Sequence, residues 1–108
     1  IYIAGGDQSR FMDIVKGTNI EKAIWTCYKR GGLIAGTSAG AAVMSEKMIT
    51  GVELLYKSTT EDTEKDGFKT IEAKNIEIGT GLGFLKESIV DQHFVKRKRY
   101  NRLIAVAL

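Results

Sequence analysis

The chain has 108 residues, of which 44% are hydrophobic and 27% charged, with a formal net charge of +3. That length suits one domain and excludes two, and the composition is that of a globular protein with no apolar run near the ~20 residues of a membrane helix. The single cysteine, Cys27, excludes an internal disulfide and any cysteine metal site; with Ile24 and Trp25 close by in a helical pattern, it is expected to be a buried core thiol.

The chain opens without Met on the apolar Ile1-Tyr2-Ile3-Ala4 and stops inside Leu103-Ile104-Ala105-Val106-Ala107-Leu108, so it is expected to be the central part of a longer domain. A targeting segment is neither implied nor excluded. Residues 1–4 read as a buried strand, and Gly5-Gly6-Asp7-Gln8 as a loop at its carboxyl end. Open α/β sheets bind ligands at such a place, and glycines let the backbone approach them closely. Ser9 is expected to cap a short helix. Thr18 or Asn19 then caps a second helix, with Glu21 in its first turn and an apolar face of Ile20, Ile24, Cys27 and Tyr28. Lys29-Arg30-Gly31-Gly32 closes it with positive charge and glycine.

The apolar run Leu33-Ile34-Ala35 leads into Gly36-Thr37-Ser38-Ala39-Gly40 and then into Ala41-Ala42-Val43-Met44. A buried strand that turns sharply into a helix must cross a backbone position few residues tolerate, and glycines on both sides of one serine fit that need. Such a turn lifts the Ser38 hydroxyl above the sheet and places the Ala39 amide at a helix N-terminus, aimed at an oxyanion. The competing reading is an ordinary strand-turn-helix connection whose serine only caps the helix. The order strand, helix, strand, serine turn, helix predicts parallel pairing, which brings the Gly5-Gly6 loop and Ser38 to one edge.

Met48-Ile49-Thr50 is extended in character, residues 57–69 are polar and expected to be a surface loop or hairpin tip, and Ile71, Ile76 and Ile78 lead into a glycine-rich connection, Gly79-Thr80-Gly81-Leu82-Gly83. That connection lacks the Lys and Ser/Thr of a phosphate-binding loop. Residues 88–94 are expected to enter the site as a strand, which puts Asp91 and the sole histidine, His93, on one face. His93 is then placed to act as a base, and an ionised Asp91 beside it would raise its pKa. The basic segment with Lys96, Arg97, Lys98, Arg99 and Arg102 reads as a helix on which Arg99 and Arg102 share one side. Arginine forks grip carboxylates bidentately, which predicts an anionic substrate. Nucleic acid is not expected, since Tyr100 is the only interleaved aromatic.

Together, Gly5-Gly6-Asp7-Gln8, Gly36-Thr37-Ser38-Ala39-Gly40-Ala41-Ala42-Val43-Met44-Ser45, Gly81-Leu82-Gly83-Phe84-Leu85 and Asp91-Gln92-His93-Phe94 followed by Arg97, Arg99, Arg102 and Leu103 closely resemble the cyanophycinase family. These are serine peptidases related to the alpha-aspartyl dipeptidases. The resemblance implies a three-layer α/β sandwich with a mostly parallel sheet, like that of class I glutamine amidotransferases. It implies Ser38 as nucleophile and His93 as general base, with Gln8, Asp91, Gln92, Arg97, Arg99 and Arg102 at substrate-site positions. The amides of Gly5, Gly6 and Ala39 would hold the oxyanion. A carboxylate between serine and histidine is expected as third member, with Glu53 the nearest match by spacing and Glu46 and Glu61 as alternatives.

The implied reaction is hydrolysis of cyanophycin, a polyaspartate bearing arginine on each side-chain carboxyl, to beta-Asp-Arg dipeptides through an acyl-enzyme. No metal or cofactor is expected. The expected partners are cyanophycin or another beta-aspartyl peptide, with no membrane, a homodimer for the full-length protein, and the cytoplasm as compartment. Two alternatives stand beside this reading: an aspartyl dipeptidase of the same fold, and a noncatalytic flavodoxin-like binding module.

Overall fold

A computed structural model describes residues 1–55, 71–97 and 99–108. The elements in chain order are β1 (Tyr2–Ile3), α1 (Gln8–Val15), α2 (Asn19–Lys29), β2 (Ala35–Gly36), α3 (Ala39–Ala42), β3 (Lys47–Glu53), β4 (Ile76–Thr80) and α4 (Tyr100–Ala107). The predicted polar loop over 57–69 lies outside the described residues, as does Lys98.

The architecture is α/β, with two small sheets. β1 pairs with β2 in parallel, matching Tyr2 with Ala35 and Ile3 with Gly36, while β3 and β4 form an antiparallel pair. The parallel pairing predicted from the order strand, helix, strand, serine turn, helix therefore holds for β1 and β2. The first strand is shorter and less buried than expected: Ile3 is buried, whereas Ile1 and Tyr2 are exposed.

Asp7, not Ser9, caps α1, its carboxylate accepting from the Arg10 amide at 2.9 Å. A carboxylate three residues before that donor reaches it without help from Ser9. Thr18 caps α2 and accepts from the Ile20 amide at 3.2 Å. Of the face predicted for α2 only Ile24 is fully buried; Ile20 and Tyr28 are exposed, and Cys27 is half-buried rather than a core thiol.

One apolar cluster joins Ile3, Met12, Val15, Ile24, Ala42, Val43, Met48 and Leu82, so that β1, both N-terminal helices, α3 and β3 share a core. A second, of Ile49, Ile76 and Ala105, seats α4 on the β3–β4 pair. The basic segment is thereby anchored at its C-terminal side. Among the described residues no helix is long and apolar enough to cross a membrane.

Candidate active site

The elbow between β2 and α3 is fixed by backbone contact. A Cβ at Gly36 would fall on the Gly40 carbonyl oxygen, and a Cβ at Gly40 on the carbonyl oxygen of Ile3. Only glycine at both positions lets α3 lie this close to the two strands. Between them Ser38 takes φ 54° and ψ −115°, a left-handed conformation that costs a residue with a side chain ~1–3 kcal/mol.

Ser38 stands at the N-cap of α3, yet its side chain makes no capping hydrogen bond. The plain capping role therefore fails for this serine. Its Oγ lies 2.8 Å from Nε2 of His93 and 3.5 Å from Oε1 of Gln92. Gly5 packs against it, since a Cβ there would sit 3.3 Å from the Ser38 Cβ. The Gly5-Gly6 loop, Ala39 and Gly40 line a cavity of about 220 Å³ beside the elbow. Ala39 is the first helical residue, so its amide has no acceptor within α3 and is free in direction to meet an oxyanion.

His93 reaches Ser38 by a route that differs from the predicted strand. Residues 88–92 form no regular ladder, and a run of turns follows. Two side chains take up the backbone donors a strand would use. The Val90 amide donates to Oγ of the fully buried Ser45 at 2.8 Å, and the Gln92 amide donates to Oδ1 of Asp91 at 2.9 Å. His93 itself has φ 57°, so it does not share a strand face with Asp91. The turn beyond it is closed by the Arg97 amide on the His93 carbonyl at 2.9 Å and the Arg99 amide on that of Phe94 at 3.0 Å. Phe94 meets Tyr100 edge-on, with ring centroids 4.8 Å apart, which fastens the turn to α4.

The helix begins at Tyr100, so Arg97 precedes it, Arg99 is its N-cap residue and only Arg102 lies on it. The three arginines have different surroundings. Arg102 Nη2 pairs with Asp91 Oδ1. Arg99 Nη1 donates to the Gln92 carbonyl at 2.7 Å and to Gln92 Oε1 at 3.2 Å. Arg97 is exposed. Desolvation lowers the pKa of both Arg99 and Arg102, with Glu53 opposing that shift at Arg102.

The His93 imidazole is held below its ordinary pKa, first by lost solvation and then by the cations of Arg97, Arg99 and Lys96. This reverses the direction expected from Asp91, whose carboxylate is engaged by Arg102. Glu53 carries a buried Oε2 without a hydrogen-bond partner and acts on the Arg102 charge. Among the described residues no carboxylate hydrogen-bonds His93. Glu46 is exposed, and Glu61 lies outside the described residues.

Gln8 is buried, and its side-chain amide is spent on the chain: Nε2 donates to the carbonyls of Ile49 at 3.0 Å and Thr50 at 2.8 Å. It ties the start of α1 to β3. Sequence reasoning misses Ser45, whose buried hydroxyl steers the stretch that carries His93. The signal for it in the sequence is its place at the end of the run from Gly36 to Ser45.

The chain is similar to known proteins over nearly its whole length. A cyanophycinase of Trichormus variabilis is 37% identical over 106 residues, covering 97% of this chain and 31% of that protein. One of Geminocystis herdmanii is 36% identical over 106 residues, with 97% and 34% covered. One of Synechococcus elongatus is 33% identical over 112 residues, with 97% and 29% covered. The chain thus spans about a third of the length of the curated relatives it matches. Residues 1–107 match Peptidase family S51 throughout, and the chain belongs to that family.

Proposed function

We propose that this chain carries the nucleophile and base of a serine peptidase that hydrolyses cyanophycin to beta-Asp-Arg dipeptides. The observation that carries the reading is the 2.8 Å contact between Ser38 Oγ and His93 Nε2 at the strained elbow. Its substrate rests on the relatives, which bear the name cyanophycinase.

In this reading the neutral His93 imidazole takes the Ser38 proton as Oγ attacks a backbone carbonyl of the polyaspartate. The amides of Ala39 and of the Gly5-Gly6 loop receive the oxyanion. His93 then protonates the leaving amine, and water releases the acyl-enzyme. The exposed Arg97 meets substrate carboxylates. Asp91, Gln92 and Arg102 shape the same wall of the site, while Gln8 supports it from below by holding β3. Glu53 is proposed as the third member, supported by its place between Ser38 and His93 in the chain and by its unpaired buried oxygen. A Glu53→Gln variant with unchanged kcat would remove it from that role.

The same reading makes the described elements part of a three-layer sandwich and the full-length protein a homodimer; a crystal structure and sedimentation of that protein test both. The function itself is tested by incubating full-length protein and its Ser38→Ala variant with insoluble cyanophycin while dipeptide release is followed. Release by the unaltered protein alone supports the reading, and no release, or equal release by both, rejects it.

A further inference from the structure

We infer that Arg99 is a positioning residue for the catalytic pair, acting through Gln92 rather than through substrate; this rests on the Ser38–His93 reading above. Arg99 closes the turn around His93 from both ends. Its backbone amide donates to the Phe94 carbonyl, just after the histidine, and its Nη1 donates to the Gln92 carbonyl, just before it. The residue enclosed has φ 57°, a conformation that persists only where its surroundings over-determine it. Arg99 supplies that determination with charge-assisted hydrogen bonds from a half-buried guanidinium.

The second contact has a separate consequence. Gln92 Oε1 lies 3.5 Å from Ser38 Oγ and competes with His93 Nε2, at 2.8 Å, for the hydroxyl proton. A serine donating to an amide oxygen has no base to take its proton. By donating to the same Oε1 at 3.2 Å, Arg99 draws that acceptor away and leaves the imidazole as the better partner. Both bonds leave one nitrogen, Nη1, held at the end of a rigid planar guanidinium; a lysine keeps the charge but ends in an ammonium on a shorter, flexible stem that does not fix a donor in that place.

The test is the rate at which phenylmethanesulfonyl fluoride modifies Ser38 in the full-length protein. This reagent has no carboxylate for an arginine to bind. Oγ forms a bond to sulfur, fluoride leaves, and the hydroxyl proton passes to His93, so the rate reads the alignment of the pair alone. The unaltered protein should react and Ser38→Ala should not; failure of the unaltered protein to react overturns the Ser38 reading and this inference with it. Arg99→Lys should slow modification about tenfold and lower kcat on cyanophycin while leaving KM within about twofold. Unchanged modification with a raised KM would make Arg99 a substrate ligand and overturn the inference. Should Arg99→Lys fail to unfold cooperatively, Gln92→Met decides: it removes the competing Oε1 while leaving the bond to the Gln92 carbonyl and every charge in place, so it should speed modification about twofold, and an unchanged or slower rate overturns the inference.

Discussion

Replacing Ser38 by alanine and by glycine separates the chemistry of the elbow from its strain. Both substitutions delete the hydroxyl 2.8 Å from His93, so both should reduce hydrolysis by several orders of magnitude. They differ in the backbone. At φ 54° and ψ −115° alanine keeps the unfavourable conformation, whereas glycine adopts it freely. Relief of ~1–3 kcal/mol is offset by the ~0.5–1 kcal/mol of extra chain entropy that glycine loses on folding. Because the serine side chain makes no capping bond, no cap is lost in either variant. Ser38→Gly should therefore be the more stable by about 1 kcal/mol, read as the difference in unfolding free energy from denaturant titrations of the two full-length proteins. Equal stabilities, or a more stable alanine variant, would refute the claim that the elbow stores strain. More than about a tenth of the activity remaining in either would refute Ser38 as the nucleophile.

Hydrolysis should rise with pH as His93 loses its proton, with the half-way point below the ordinary imidazole pKa of ~6.5, because desolvation and three nearby cations disfavour the charged ring. Removing a cation in Arg97→Gln should move the titration of the His93 ring, followed by NMR without substrate, to higher pH; a shift to lower pH contradicts the assignment. Gln8→Leu should cost about 2–4 kcal/mol of stability, since the carbonyls of Ile49 and Thr50 both lose a donor, and denaturant unfolding measures it. A loss below about 0.5 kcal/mol would show that the tie to β3 is dispensable. Gly40→Ala should destabilise by about 3 kcal/mol or prevent folding, because the new methyl meets the Ile3 and Ala4 carbonyls; a thermal melt matching the unaltered protein would refute that packing.

The elbow was legible because its physics is local. Two glycines, a serine and a small-residue helix start state a turn that few other conformations satisfy, and Gly36 and Gly40 are indeed pressed against backbone. The extended character of Met48-Ile49-Thr50 likewise survives in β3, where Met48 pairs with Gly79 and Ile49 with Ile78 of β4. The path to His93 was not legible in the same way. Alternation over 88–94 resembles a strand, but the amides there are taken by Ser45 and Asp91 side chains, a competition that period-two patterning does not encode. Nor does a cluster of arginines declare its partners. Arg102 turns inward to Asp91, Arg99 to Gln92 and Arg97 outward, and only the fold of the turn separates them.

The distribution of backbone strain argues for function independently of any motif. Among the described residues three with side chains have positive φ: Ser38, Lys74 and His93. Two of these three face each other across 2.8 Å, on segments 55 residues apart in sequence. A fold selected only for stability has no reason to place two costs of ~1–3 kcal/mol in contact, since either could be relieved by glycine. Each is maintained by its own support: the elbow by the packing of Gly36 and Gly40, and the histidine turn by Arg97 and Arg99 amides, Gln92 and α4. The supports meet where Ser38 Oγ faces His93 Nε2 and Gln92 Oε1. What the strain secures is therefore the relation between a hydroxyl and an imidazole, and proton transfer is the chemistry that depends on that relation to a fraction of an ångström.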